Sequence, residues 1–213
     1  MNIEHIEPKD IEKRSFEIIS QELKKRQIEI PQDKAFVIKR AIHTTADFEY
    51  AQTLCFSKDA ISKVAELIRQ GAIIVTDTNM GLSGINKAEL GKYGGKLMCF
   101  MADQDVAIEA KSRGLTRATV SMERASKLGQ RIIFAIGNAP TALIELRRMY
   151  DEKIFIPDFI IGVPVGFVNV EAAKEMIMET DIPYIVNKGR KGGSNVAAAI
   201  CNAILYEMKK GNI

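Results

Sequence analysis

Apolar and polar residues recur along this chain with two periods, one helical and one typical of short buried strands. Over residues 9–26, apolar side chains return about every 3.6 positions among charged ones, which predicts an amphipathic helix. Residues 31–43 also favour a helix, because Pro31-Gln32-Asp33 is a good helix start. A strand over residues 35–42 is the alternative, since Phe36-Val37-Ile38 is a run of residues that suit strands.

Beyond residue 56 a step from helix to strand repeats. Ser57 is placed to cap a helix that Gly71 ends, and a short apolar strand follows directly. The predicted helices are 57–69, 103–113, 117–128, 141–150, 170–179 and 194–209. The predicted strands are 72–76, 131–136, 159–163 and 184–186.

Short apolar strands separated by helices imply an α/β fold, in which a mostly parallel sheet is covered by helices on both faces. The length of 213 residues fits one such domain, residues 1–213. In sheets of this kind, ligands bind beyond the carboxyl ends of the strands. The loops that follow the strands are therefore the candidates for a functional site.

Composition and charge argue against several classes of protein. The net charge is only +3 and the basic residues are dispersed, which argues against a nucleic-acid-binding protein. No apolar run of about 18 residues occurs and the N-terminus lacks a signal-peptide core, so no membrane span is expected. Cys55, Cys99 and Cys201 form no CxxC pair, and we expect free thiols in a reducing cytoplasm. The sequence predicts no metal site.

The segment 40–47 concentrates the candidate chemistry. It contains Arg40, His43, Thr44 and Asp47, and the chain has only one other histidine. An imidazole, with an unperturbed pKa of about 6.5, can give or take a proton near neutrality. On a helix, Arg40 and Asp47 could share the face of His43, and the two charges would bias its protonation in opposite directions. An ordinary surface histidine is the alternative interpretation.

The last loop, residues 187–195, carries the strongest anion-binding signal. Its glycines allow close backbone approach, and the following helix points free N–H groups at a ligand. Lys188, Arg190 and Lys191 add positive charge, more than a helix cap requires. A capped helix with Ser194 as the cap and an ordinary glycine turn is the alternative.

The other loops give weaker signals. Residues 137–143 could present Asn138 to a ligand oxygen, but a turn followed by a helix capped by Thr141 is the preferred interpretation. Residues 164–168 are apolar and stiff, and would form a wall for a flat hydrophobic ligand or simply pack over the core. Phosphate-binding glycine motifs, a GxSxG elbow and an HExxH motif are all missing from the sequence.

Taken together, these segments resemble the precorrin-8X methylmutase family of cobalamin biosynthesis. The resemblance lies in a series of collinear segments spanning residues 7 to 206: Arg14-Ser15-Phe16, RAIHTTAD at 40–47, Asp77 with Met80 and Gly84-Ile85, GNAPTAL at 137–143, IGVPVGFV at 161–168, and GRKGGSNVAAA at 189–199.

This resemblance implies a homodimeric, flavodoxin-like α/β enzyme that moves a methyl group from C-11 to C-12 of a corrin-type macrocycle. It implies His43 as the catalytic residue, donating a proton to the conjugated ring. The implied substrate is a flat tetrapyrrole with carboxylates at its edge, with no cofactor and with any cobalt belonging to the substrate. No membrane or nucleic-acid partner is expected.

The substrate anchors expected on this basis are residues on the helices and loops near His43. They are Ser15, Arg40, Thr44, Asn79, Met80, Arg117, Asn138, Phe167, Lys188, Arg190, Gly192, Gly193 and Ser194. Met80 and Phe167 would form apolar walls, although both residue types more often lie in a core. Arg117 could as well be a solvated helix charge.

Two other functions compete with the isomerase. A non-enzymatic corrinoid carrier would use the anion-binding loops but not His43. A nucleotide-dependent transferase or dehydrogenase follows from fold analogy alone, and the missing phosphate motifs count against it.

Overall fold

The computed structural model describes residues 3–213, and over this range the chain forms a six-stranded sheet between two layers of helices. The strands are β1 Leu54–Phe56, β2 Ile73–Thr76, β3 Lys96–Met98, β4 Ile132–Ile136, β5 Phe159–Gly162 and β6 Tyr184–Asn187. The α-helices are α1 Ile11–Lys25, α2 Ala35–Thr45, α3 Tyr50–Thr53, α4 Ala60–Arg69, α5 Asn79–Gly84, α6 Lys87–Gly91, α7 Gln104–Arg113, α8 Arg117–Ala125, α9 Pro140–Asp151, α10 Val170–Met178 and α11 Ser194–Lys209.

The sheet has the strand order β1-β6-β5-β4-β2-β3. All neighbouring pairs are parallel except β1 and β6, which are antiparallel. Counted without β1, the strands follow the order 2-1-3-4-5 of flavodoxin-like folds. The expected fold class is confirmed. In this arrangement the order reverses between β2 and β4, and a ligand crevice is expected outside their carboxyl ends.

Each face of the sheet carries its own hydrophobic core. Ile74, Ile133 and Ile161 pack with α1, α2, α4 and α11 on one side. Val75 and Phe134, which alternate with them along the strands, pack with α7 to α10 on the other side. Since β2, β4 and β5 are buried at every position, they show the continuous apolar runs from which they were predicted.

Residues 35–45 form a helix, so the helical interpretation is confirmed and the strand alternative is wrong. The buried side chains of α2 are Val37, Ile38, Ala41 and Ile42. Their spacing places them on one face of a helix, which packs against α11.

Several boundaries differ from the prediction. Strands β1 and β3 were not predicted, because three residues show no clear period. The helix predicted from Ser57 begins at Ala60, after Asp59 at φ 57°. Ser57 instead bonds β6, accepting from the Tyr184 N–H at 2.9 Å, so the predicted cap is wrong. The segment after β2 forms two short helices, α5 and α6, rather than a loop.

In the described part of the chain, no helix combines the length and the apolar character that crossing a bilayer requires.

Candidate active site

His43 lies in the last turn of α2 with its side chain exposed. Its ring stacks on Phe16 of α1, with 5.3 Å between the ring centroids and 23° between the planes. The contact orients the imidazole while leaving it open to a ligand. Ser15 precedes Phe16 and Thr44 follows His43, and both are half-buried. The Ser15 hydroxyl donates to the Ile11 carbonyl at 3.0 Å, so only its acceptor capacity is free for a substrate.

Arg40 lies one turn before His43 and is held from three sides. Its guanidinium carbon is 4.8 Å from the centroid of the Phe16 ring and 5.5 Å from that of Tyr206. It pairs with Glu12. Its Nε is buried without a hydrogen-bond partner among residues 3–213. A substrate carboxylate that approached Arg40 would have to share it with Glu12.

Asp47 does not share the helical face of His43, which corrects one expectation. Helix α2 ends at Thr45, because Ala46 adopts a left-handed conformation at φ 55°. Beyond this turn the Asp47 carboxylate contacts the Lys191 ammonium at 2.5 Å, and Glu49 contacts it at 2.7 Å. The hydrogen bond from Lys191 lowers the pKa of Asp47 below its ordinary value. Asp47 therefore ties the end of α2 to the loop that follows β6.

The loop after β4, residues 137–139, is capped by Asp77 and is named here the capped loop. The Asp77 carboxylate, only 1% exposed, accepts from the N–H groups of Gly137, Asn138 and Ala139 at 2.9, 2.8 and 2.6 Å. Burial raises the pKa of Asp77, and these three donors oppose that shift. The backbone donors predicted for a ligand are thus used within the chain, and the cap is Asp77 rather than Thr141. The side chain of Asn138 stays exposed.

The glycines before α11 serve close packing. A Cβ on Gly192 would lie 2.1 Å from the Val163 carbonyl oxygen, and Gly193 has φ 142°. The Ser194 hydroxyl is 2.7 Å from that of Thr78. Ser194 is the first residue of α11 rather than its cap. Gly192 and Gly193 thus position the N-terminus of α11 beside the segment after β2.

Residues 188–193 form the cationic loop. Arg190 pairs with Glu171 at 2.7 Å and lies 5.5 Å from the centroid of the Phe167 ring. Lys191 is paired with Asp47 and Glu49, whereas Lys188 is exposed and has no ion pair within the described residues. Lys188 and Arg190 are therefore the cations of this loop that a ligand can reach most directly.

The predicted apolar walls are exposed rather than part of the core. Phe167, after β5, is 82% exposed, and Met80, in the first turn of α5, is 70% exposed. Asn79 beside Met80 is also exposed. Arg117, exposed at the start of α8, lies near the first turn of α9, since the Thr116 and Thr141 hydroxyls are 3.0 Å apart. These residues occupy the carboxyl edge of the sheet, as the topology predicts.

A groove of about 880 Å³ runs between α1, α2 and the C-terminal half of α11. Phe16, Phe36, Arg40 and Tyr206 line it, and Phe16 connects it to His43. The segment that carries His43 thus adjoins this groove through Phe16 and the cationic loop through Asp47. No cluster of three or more His, Cys, Asp or Glu residues suited to a metal ion occurs within residues 3–213.

Comparison with known proteins identifies the family of the chain. The sequence profile of the precorrin-8X methylmutase family matches residues 10–207. The chain belongs to this family. As a member it is an enzyme, an isomerase, which confirms the class of activity that the motifs implied.

Relatives across the methylmutase family cover nearly the whole chain. A cobalt-precorrin-8 methylmutase of Priestia megaterium is 43% identical over 199 residues, 93% of this chain and 88% of that protein. The cobalt-precorrin-8 methylmutase of Salmonella typhimurium is 40% identical over 209 residues, 96% of this chain and 97% of that protein. The crystal structure of the precorrin-8X methylmutase of Thermus thermophilus superimposes with a TM-score of 0.87 at 35% identity, covering 96% of this chain and 98% of that chain.

Sequence reasoning missed two features of this candidate site. The stacking of Phe16 on His43 joins two helices, and no local pattern signals it. Lys174, within α10, is completely buried and contacts the cationic loop, although its position in the sequence looks like that of any surface lysine.

Proposed function

We propose that this chain catalyses the migration of a methyl group from C-11 to C-12 of precorrin-8X, or of cobalt-precorrin-8, to give hydrogenobyrinate or cobyrinate. Family membership and the names of the relatives support this reaction. The structural observation that carries the proposal is the position of His43. It is exposed and stacked on Phe16, one turn after Arg40 and four residues before Asp47, which contacts the cationic loop.

His43 acts as the proton donor in this proposal. An intramolecular methyl shift has no leaving group and needs no nucleophile, so the protein must polarise the ring and hold it in one conformation. Protonating the conjugated system makes migration easier, and a positioned histidine supplies about 10²–10⁴-fold in rate. Fixing the ring conformation supplies a further factor.

The substrate chemistry fits the residues at the carboxyl edge of the sheet. A flat macrocycle with carboxylates at its edge needs an apolar surface and several cationic contacts. Met80 and Phe167 supply exposed apolar surface, and Lys188 and Arg190 supply cations. Arg40 and Arg117 are further carboxylate partners in this proposal, and Ser15, Thr44, Asn79 and Asn138 are polar contacts. Any cobalt enters as part of the substrate, and the reaction uses no separate cofactor.

The visible absorption spectrum of the macrocycle tests the proposal. Enzymatically prepared precorrin-8, metal-free and cobalt-bound, is incubated with the wild type, with His43→Ala and with the matched control His5→Ala. Removing the proton donor should slow the appearance of the corrin spectrum by at least about 100-fold, while His5→Ala should match the wild type.

Product binding separates the possible outcomes. His43→Ala should still bind the product, because the carboxylate anchors remain. Turnover retained by His43→Ala would reject His43 as the donor. Wild-type binding without any spectral change would favour the corrinoid carrier, and the metal state converted faster identifies the natural substrate.

A homodimer in the cytoplasm completes the proposal. Exposed apolar side chains, among them Val168 at 78% and Phe167 at 82% exposure, supply surface that a second copy or a substrate could cover. The three cysteines are free thiols, consistent with a reducing compartment. Light scattering after gel filtration measures the oligomeric state, and a monomer at micromolar concentration would contradict the dimer.

A further inference from the structure

Four consecutive carbonyl groups of the cationic loop point into the protein. The carbonyls of Lys188 and Lys191 accept from the Asn187 side-chain amide at 3.1 and 2.9 Å. The Arg190 carbonyl accepts from the Gly166 N–H at 3.2 Å. The carbonyls of Gly189 and Lys191 accept from the Lys174 ammonium, both at 2.8 Å. With its carbonyls turned inward, the loop presents its cationic side chains to solvent.

Lys174 is the unusual member of this network. It is 0% exposed, although lysine is almost never fully buried unless it is paired. Its two bonds go to backbone carbonyls, and the nearest acid, Glu171, is bonded to Arg190. Burying a charge against neutral acceptors is costly, so the position indicates a specific use for the ammonium group.

That use follows from where the charge lies. The buried ammonium is behind the loop whose front carries Lys188 and Arg190. It fixes the loop from inside through two charge-assisted hydrogen bonds, which are stronger than neutral ones. It also adds positive charge behind the loop, in a region that water does not screen.

We propose that Lys174 is a positioning residue, which holds the cationic loop in the conformation that binds the carboxylates of the substrate. This inference rests on the proposed function for the identity of the ligand, a polycarboxylate tetrapyrrole. A loop that is ordered before binding loses less conformational entropy when the ligand arrives.

One alternative is that the loop is held by the surface ion pair between Arg190 and Glu171. Glu171 contacts Arg190 at 2.7 Å, and both side chains are exposed. Exposed pairs of this kind contribute little to stability. Glu171→Gln separates the two possibilities, because it removes the surface pair, leaves Lys174 in place and changes no buried residue.

The experiment uses uroporphyrin III, a flat tetrapyrrole with acetate and propionate groups, as the probe, and follows its fluorescence during titration. Lys174→Met keeps an unbranched side chain that is one atom shorter and removes the donors. We expect its dissociation constant for the probe to rise roughly tenfold, the scale of losing a charged hydrogen bond. Glu171→Gln should bind as well as the wild type or better, since it frees Arg190.

Ile177→Ala is the matched control for loss of stability. Ile177 is one turn further along α10, fully buried, in the core cluster on that face of the sheet. It should lower the melting temperature yet leave probe binding within about twofold of the wild type. In turnover of precorrin-8, Lys174→Met should raise KM by more than it lowers kcat, whereas Ile177→Ala should change neither by much.

Equal binding by Lys174→Met and Ile177→Ala would overturn the proposal, as would weakened binding by Glu171→Gln. If Lys174→Met does not fold, the proposal is tested by hydrogen exchange of the wild type and by probe binding of Glu171→Gln. Slow exchange of the Gly166 and Gly193 amides, which donate to the Arg190 and Val163 carbonyls, before ligand is added supports a preformed loop. Exchange as fast as that of the exposed residues 167–168, whose amides have no hydrogen-bond partner among the described residues, would reject it.

The failure of this inference differs from the failure of the proposed function. Wild-type isomerisation with equal probe binding by all variants would leave the methylmutase and remove the role of Lys174. A wild type that binds the probe but does not isomerise precorrin-8, together with weak binding by Lys174→Met, would keep the loop mechanism and remove the reaction.

Discussion

The capped loop and the cationic loop look alike in sequence, but opposite backbone groups of the two loops are hydrogen-bonded within the chain. Each contains glycine, follows a parallel strand and precedes a helix. In the capped loop, Asp77 takes up three backbone N–H groups, so the positive end of α9 is neutralised within the chain. In the cationic loop, Lys174 and Asn187 take up the carbonyls, so positive charge faces outward. A glycine-rich turn before a helix therefore does not identify an anion site until the partners of its backbone groups are known.

Among the changes that test this comparison, removal of Asp77 should have the largest effect on stability. Asp77→Ala leaves three N–H groups of the capped loop without their acceptor, which should lower the free energy of unfolding by about 3 kcal/mol. Urea denaturation measures the loss. Asp151→Ala, which removes an exposed partner of Arg147, is the control and should change stability by less than about 0.5 kcal/mol.

Asp77→Ala should also turn the capped loop into an anion-binding loop. With Asp77 gone, the start of α9 is free to bind an anion, so phosphate should raise the melting temperature of Asp77→Ala more than that of the wild type. Equal stabilisation of both proteins would show that the capped loop lacks anion affinity even when it is uncapped.

The pH dependence of stability tests the buried lysine behind the cationic loop, Lys174. Burial lowers the pKa of Lys174 to about 8, from an ordinary value of 10.5. Between these values the unfolded chain binds more protons at Lys174 than the folded chain, so this residue makes stability rise with pH. The stability of the wild type relative to Lys174→Met should therefore increase from pH 8 to 10.5, by at most roughly 3 kcal/mol.

Urea midpoints of both proteins, measured across that range, give this difference directly. Subtracting the unfolding free energy of Lys174→Met from that of the wild type removes the contribution of the other titrating groups, including the tyrosines and the exposed lysines. A difference that stays constant or shrinks as the pH rises would mean that burial does not lower the pKa of Lys174.

How far the sequence could predict these features depends on their range along the chain. The alternation of helices and buried strands is local, so the fold class and the central strands were predictable. The cap on the capped loop joins residues 60 or more positions apart, and Asp77 itself was visible only as part of a family resemblance. Lys174 could not be recognised, because Ala173 and Glu175 on either side give it the setting of a surface lysine. Contacts across the fold, rather than local patterns, decide which loop is open to a ligand.

Gly137 of the capped loop and Gly192 of the cationic loop should be sensitive to any added side chain. A Cβ on Gly137 would lie 2.5 Å from the Ser194 Cα, where backbone must move. Gly137→Ala should therefore cost about 2 kcal/mol of folding free energy, and Gly192→Ala a similar amount. Gly91→Ala is the control, since among the described residues no atom lies within 4 Å of the added methyl group. Stability near the wild type for Gly137→Ala would contradict the tight packing of the capped loop against α11.

The smallest expected effect is on ligand binding, which should depend on the cationic loop more than on the capped loop. Lys188 has no ion pair among the described residues, so Lys188→Ala should weaken uroporphyrin III binding about fivefold and reduce its salt dependence. Asn138→Ala should change binding by less than about twofold, because the backbone donors of its loop already serve Asp77 and only one neutral side chain is lost. Lys127→Ala, at an exposed lysine after α8, controls for the change in net charge. If Asn138→Ala weakened binding more than Lys188→Ala did, the capped loop would be the main anchor, and the assignment of anion binding to the cationic loop would be reversed.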